Sequence, residues 1–347
     1  MSKSSRKSKK KGIIIALAII LVIAIPICAG VVAVNHYLSK MNFEEEETLE
    51  VNPEYIEEVT VPEADDDIAE NIDDQRMWYN DNIINILLIG CDLGSETRYY
   101  PRADSVIVLS INTLNSTIKM VSLSRATYVS IPGHGNARLN AAHAYGGPKL
   151  LVKTIEENYK IRIDKYISID FDGFIQAIDT LGGVDIYLTQ EEINVIAGTM
   201  SANGITPNGA GTYHLNGNVA LEYARIRGID NDRARTGRQR VVLTAILDKF
   251  KKMFSTESYA TIISKCFDYL DEVLPLVSTN FTKGEIISQA PKYVGYMKYN
   301  VTEAIIPKVN VPLQNINGIE VLILDWPTVK NDIHEILYPG IEPQEQS

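Results

Sequence analysis

The sequence predicts an α/β protein: a three-layer α/β/α sandwich on a central mixed sheet, preceded by one N-terminal transmembrane helix. Three observations predict it. Residues 12–34 form an apolar stretch with no charge. Several short runs after residue 82 are apolar almost without interruption, which marks strands buried on both faces. Amphipathic helical patterns then alternate with further strands, and that order builds layers around a sheet.

The first element is the anchor. Gly12 to Val34 is 23 residues long, and a helix of that length crosses the roughly 30 Å hydrocarbon core with some tilt. Lys3, Arg6, Lys7, Lys9, Lys10 and Lys11 precede it, so residues 1–11 are a basic cytoplasmic tail. A cleaved signal peptide has a shorter apolar region of about 7–15 residues and a small-residue cleavage site. Here Val34 is followed by Asn35-His36-Tyr37-Leu38. The expectation is a single-pass protein of the cell membrane with everything after residue 34 extracellular.

Residues 35–81 read as an acidic extracellular spacer. They contain Glu44-Glu45-Glu46-Glu47, Asp65-Asp66-Asp67, Pro53 and Pro62, a composition that favours extended, solvated chain. Residues 44–74 hold fifteen acids and no Lys or Arg. The net charge is −11; setting aside those fifteen acids and the six cations of the tail leaves about −2 for the rest. A near-neutral domain argues against nucleic acid as a partner, since such proteins carry a basic face. The three cysteines, Cys28, Cys91 and Cys266, form no Cys-x-x-Cys pair, which argues against a metal or redox motif.

Residues 82–347 form one extracellular domain. Ile83–Ile89 is the first strand, ending in Gly90; Ser105–Ile111 and Ile118–Leu123 are the second and third. Pro148 opens a helix over 149–159. Tyr166–Ile169 is a strand, Phe171–Leu181 a helix stopped by Gly182-Gly183, and Val184–Leu188 a strand. Helical patterns follow at 216–224, 234–253, 257–269 and 282–298. Ile319–Leu324 reads as a late strand, and a short helix falls near 328–337.

Polar residues gather where the buried strands end. Gly90-Cys91-Asp92 closes the first strand, Arg102-Ala103-Asp104-Ser105 opens the second, and Ser122-Leu123-Ser124-Arg125 closes the third. Strand-end loops are where open α/β sheets bind ligands. Asp92 and Asp104 suit a hard divalent cation, and Mg²⁺ takes one or two carboxylates with waters and phosphate oxygens. Arg102 and Arg125 offer planar donors that match phosphate. A fourth segment is basic: Arg225 and Arg227, then Asp230, Asp232, Arg233, Arg235, Arg238, Gln239 and Arg240. Arg235, Arg238 and Gln239 stand at i, i+3 and i+4 of one helix. Asp232 precedes them as a cap or an arginine's partner. A strand-end Asp is often only a turn former, and arginines on a helix are often a solvated face. The coincidence of four such segments favours metal-assisted handling of a pyrophosphate. His143 reads as structural.

These residues resemble the LytR-CpsA-Psr family. The resemblance runs from about Asn82 to Lys249 and is carried by Asn85–Asp92, Arg102–Ser105, Leu139-Asn140-Ala141-Ala142-His143-Ala144-Tyr145-Gly146-Gly147, Leu215–Arg227 and Asp232–Gln239. It implies transfer of an anionic glycopolymer, such as teichoic acid or capsule, from an undecaprenyl pyrophosphate carrier to peptidoglycan. It implies Mg²⁺ (or Mn²⁺) at Asp92 and Asp104, and pyrophosphate binding by Arg102, Arg125, Arg225, Arg227, Arg235 and Gln239, which Arg238 joins by its helical spacing. Catalysis then rests on Arg125, Arg225, Arg227, Arg235 and the supporting acid Asp232, with the polyprenyl tail in an apolar pocket between sheet and helices. One position departs from the family pattern: the usual Pro-Arg-Asp is Ser124-Arg125-Ala126 here. Rival readings of the same residues are a lipid-pyrophosphate hydrolase, and a non-catalytic polyprenyl-phosphate-binding protein or transcriptional attenuator.

Overall fold

The computed structural model describes residues 42–43, 77–92, 100–256, 261, 268, 271–296 and 298–341. The expected anchor at 12–34 and the helical pattern at 257–269 lie outside the described residues, apart from 261 and 268. Among the described residues no helix is long and apolar enough to cross a membrane.

Seven strands form the central sheet: β1 (Asn42–Phe43), β2 (Ile83–Cys91), β3 (Ala103–Asn112), β4 (Thr117–Leu123), β7 (Lys165–Ile169), β10 (Val277–Thr279) and β11 (Asn300–Ile306). Their order is β1-β10-β7-β2-β3-β4-β11. The sheet is mixed: β2 is parallel to β7 and antiparallel to β3, while β11 runs parallel to β4. Side chains alternate across a strand, so β2 feeds two cores. Ile86 and Leu88 join Ile107, Leu109, Ile118 and Met120 on one face. Leu87 and Ile89 join Val106, Val108, Val121 and Leu123 on the other.

The first face is covered by α2 (Phe171–Thr180), α3 (Gln190–Ala202), α4 (Gly217–Arg225) and α5 (Asp232–Thr256), with the hairpin β8–β9 (Val184–Leu188, Gly211–Leu215) beside them; α6 (Lys283–Tyr296) packs there too. The second face is covered by α1 (Leu139–Tyr159), α7 (Trp326–Leu337) and the hairpin β5–β6 (Tyr128–Ile131, Gly135–Arg138). A last hairpin, β12–β13 (Gln314–Ile316, Ile319–Val321), stands apart from the sheet.

Local sequence explains the helix starts. Asp170 caps α2 by accepting from the Gly173 amide at 2.8 Å. Thr189 and Glu192 form a capping box on α3, and Asn216 caps α4. Gly217 permits α4 to lie against α2, since a Cβ there would strike the Ile175 backbone.

Three expectations are adjusted. The helix expected over 149–159 is the second half of α1, which kinks at Gly146 and Gly147 (φ 64°) before Pro148 restarts it. Ile319–Val321 pairs only with β12, and the sheet edge is instead β11. Glu303 disguises β11, but its carboxylate is paired with Arg240 of α5. Two pieces of the expected spacer also attach to the domain: β1 at the sheet edge, and Trp78, which bridges to Ile161 and donates its amide to the Lys160 carbonyl at 2.8 Å.

Candidate functional site

The ends of β2 and β7, the start of β3 and the helices α2, α4 and α5 enclose a hollow of about 690 Å³, its open mouth included. Polar side chains line it, Asp104, Asp170, Arg225, Arg227, Arg235 and Gln239 among them, together with the apolar Ile169, Phe171, Phe174, Leu221 and Leu243. Strand ends supply the acids, and α4, α5 and the link between them supply the arginines.

Each cation is held differently. Arg225 lies with its guanidinium 4.6 Å over the Phe171 ring, a cation–π contact that seats the cation beside an apolar side chain of the hollow. Arg227 is exposed at the rim. Arg235 is only 3% exposed, and burial lowers its pKa while nearby Asp232 opposes the shift. Its Nη2 lies 2.5 Å from Asp232, and its Nε has no hydrogen-bond partner among the described residues. The Gln239 Oε1 is likewise buried and unpartnered there. Unpaired buried polar groups are costly, so this wall is prepared for a polar ligand.

Behind the wall runs a chain of ion pairs. Arg125 donates to Asp104 and reaches Asp232 at 3.4 Å, and Asp232 pairs in turn with Arg235. Arg125 and Asp232 therefore do not line the hollow but orient two groups that do. Asp92 follows the last residue of β2 and is exposed, and Arg102 is exposed at the start of β3; neither lines the hollow. The carboxylates nonetheless converge electrostatically. Buried Cys91, a free thiol, has its pKa pushed up to about 11, first by desolvation and further by Asp170, Asp104 and Asp92.

Arg238 is turned elsewhere, against the expectation of a pyrophosphate contact. It donates to Glu192 at 2.9 Å, to Asp230, and to the Ile226 carbonyl at 3.2 Å. At about 100° per helical residue, Gln239 sits about 40° to one side of Arg235 and Arg238 about 60° to the other. The same split sorts two neighbours. Arg233 donates to the Pro307 and Lys308 carbonyls, and Arg240 binds Glu303 and the Ser122 hydroxyl. Those three arginines lock the α5 start to its surroundings.

The structure adds Asp170, Phe171, Phe174, Leu221 and Leu243 to the site. Asp170 was visible as an Asp placed between a strand and a helix, an N-cap signature. The apolar wall carried no sequence signal that separates it from ordinary core. His143 is buried in α1, its Nδ1 2.6 Å from the Pro101 carbonyl, outside the hollow.

For a divalent cation the donor set is sparse. No group of three metal-ligating side chains occurs among the described residues, which argues against an all-protein cage. Asp104 on the wall with Asp92 nearby fits the other mode, one or two carboxylates completed by substrate phosphate oxygens.

Arginines beside apolar side chains in one hollow define the chemistry of the site: it suits an anionic group that carries an apolar portion. The family model for the LytR_cpsA_psr family matches residues 35–335, and the chain belongs to that family. The polyisoprenyl-teichoic acid–peptidoglycan teichoic acid transferase TagT of Bacillus subtilis is 36% identical over 182 residues, 52% of this chain and 56% of the relative. The corresponding transferase TagU of Bacillus mycoides is 33% identical over 213 residues, 60% of this chain and 64% of the relative. The matched stretch thus spans between half and two thirds of these relatives' length. A solved TagT with bound octaprenyl pyrophosphate lipid superposes with a TM-score of 0.56 at 26% identity, covering 76% of this chain and 95% of that one.

Proposed function

We propose that this chain transfers an anionic glycopolymer from a polyprenyl pyrophosphate carrier, in the cell undecaprenyl pyrophosphate, onto peptidoglycan. The single observation that carries the reading is the mixed lining of one hollow. Arg225, Arg227, Arg235 and Gln239 line it together with Phe171, Phe174, Leu221 and Leu243. A sugar pyrophosphate needs the first and a polyprenyl chain the second. The names of the relatives and the lipid in the solved neighbour support the same assignment. Teichoic acid and capsule remain the two polymer classes of the proposal. The domain works outside the cell, anchored in the bilayer by residues 12–34.

Arg225, Arg227 and Arg235 bind the two phosphates and spread the charge that grows on their oxygens, the usual electrostatic route in phosphoryl transfer. The acceptor hydroxyl oxygen of peptidoglycan attacks the sugar-linked phosphorus. The bond from that phosphorus to the bridging oxygen breaks, and the lipid monophosphate leaves with the electron pair. The hydroxyl proton passes to Asp170, the carboxylate of the hollow that is neither paired with Arg125 nor assigned to the metal. Asp104 and Asp92 would hold Mg²⁺ (or Mn²⁺), which supplies Lewis-acid neutralisation of the phosphates when bound. Phe171 and Phe174 give the polyprenyl chain an apolar surface to lie on.

The test uses the full chain with a lipid-pyrophosphate-linked oligosaccharide donor and peptidoglycan oligomers, with wall-linked and free polymer separated. Wild type gives linked polymer, and Arg227→Ala loses it while keeping its fold. Unchanged transfer by Arg227→Ala defeats the assignment. Free polymer as the main product makes the chain a hydrolase instead.

A further inference from the structure

Asn42 and Phe43 form the edge strand β1, parallel to β10, with Asn42 opposite Ser278 and Phe43 opposite Thr279. β10 runs antiparallel to β7, where Val277 faces Ile169 and Thr279 faces Ile167. The chain thus enters β1 from the end of the sheet where Ile169, Asp170 and Phe171 line the hollow, and runs towards the other end. Leu276, just before β10, is 37% exposed at that same end; a Cβ on Gly173 of α2 would approach its Cβ to 3.0 Å.

We infer that β1 is where the membrane tether joins the domain, so that the hollow's end of the sheet is held towards the bilayer with Leu276 on the facing rim. This rests on residues 12–34 being the anchor. Only seven residues, 35–41, separate that stretch from β1. Fully extended they reach about 25 Å. Were the domain to begin at residue 77, the tether would be residues 35–76, 42 residues, reaching up to about 140 Å and imposing no orientation. Residues 42–43 and Trp78 both attach to the domain, through β10 and through the Ile161 bridge. A short tether keeps the apolar wall of the hollow next to the leaflet that holds the lipid carrier.

The full chain in phospholipid vesicles carrying a headgroup quencher tests this. A dye is placed at Leu276→Cys or at Leu114→Cys, in a background with Cys28→Ser and Cys266→Ser; buried Cys91 stays. Leu114 is 63% exposed in the β3–β4 turn, at the far end of the sheet. The dye at 276 is quenched and the dye at 114 is not. Inserting about twenty Gly/Ser residues after Leu38 lowers encounter quenching at 276 about eightfold, because local concentration falls as the −3/2 power of tether length. A 42-residue tether would lose less than about twofold from the same insertion. Protein that floats with the vesicles but quenches both dyes equally, or that changes by twofold or less on insertion, overturns the orientation and leaves the anchor standing. Protein that fails to float overturns the anchor, and the orientation with it.

Discussion

Arg235→Ala and Arg238→Ala separate binding from folding on one helix. Both arginines are buried, yet they do opposite work. Arg235 faces the hollow with an unpartnered Nε, and its companion Asp232 has 43% of its side chain exposed. Truncating Arg235 leaves Asp232 free to hydrate, so the stability cost is small, about 1 kcal/mol as for exposed pairs. The functional cost is large: one preorganised donor removed from a charge-developing site lowers turnover about 10²–10³-fold. Arg238 has the reverse balance. It holds Glu192, whose side chain is 13% exposed, and Asp230. Breaking such a buried pair costs about 3–5 kcal/mol, because a carboxylate is left uncompensated. In a domain of this size that lowers the melting temperature by about 10 °C, while turnover per folded molecule stays within about threefold of wild type, a difference worth well under 1 kcal/mol. The assay pairs glycopolymer transfer at saturating donor with a thermal melt on the same preparation. If Arg235→Ala keeps wild-type transfer, or if Arg238→Ala abolishes transfer without lowering the melt, the division of the arginines is wrong.

Three further outcomes follow from the same geometry. Glu156 on α1 is half-buried and has its pKa raised to about 7 from 4.5, chiefly by desolvation. The folded state therefore holds that proton more tightly than the unfolded one; its contribution is full below pH 4.5 and is lost as pH climbs to about 7, by about 3 kcal/mol. Urea unfolding at pH 5 and pH 8 reads the loss, and Glu156→Gln, which keeps the acceptor for the Ile163 amide at 2.9 Å, flattens it. Native Cys91, its thiol pushed up to about 11, resists iodoacetamide at pH 8 and reacts only after unfolding; rapid native labelling at Cys91 by mass spectrometry contradicts its burial. Phe174→Ala weakens binding of long-chain polyprenyl pyrophosphate by about 2 kcal/mol, near thirtyfold, and leaves the affinity for inorganic pyrophosphate unchanged, as calorimetry with both ligands checks.

The sheet's centre was legible because β2, β3 and β4 are apolar on both faces, and no other element type uses such runs at that length. β11 was not, because Glu303 breaks its pattern and only the partner on α5, Arg240, explains why an acid sits there. The arginines of 225–239 were legible as a group, since charge of one sign that dense calls for an anion. Their division was not. Whether a guanidinium meets phosphate or a carboxylate depends on Glu192, which is 46 residues away from Arg238 in the chain. The apolar wall was invisible for a related reason: Phe171 and Phe174 are helix residues like any others until Arg225 stacks on one of them.

Ala126 also takes its meaning from the fold. An acid beside Arg125 would have one evident use, to orient that guanidinium. Here Arg125 already donates to Asp104 on β3 and reaches Asp232 at the start of α5, two carboxylates supplied by distant elements. The backbone of Ala126 serves a separate purpose. Its carbonyl accepts from the Leu322 amide at 2.8 Å, and the Tyr128 amide donates to the Leu322 carbonyl at 2.9 Å. That pair of bonds ties the turn after β4 to the segment after β13. A third acid at 126 would add negative charge to a cluster where Arg125 is already shared between two carboxylates. The cation is thus oriented by tertiary pairing in place of its sequence neighbour, and the departure at 126 leaves the ion-pair chain to Arg235 intact.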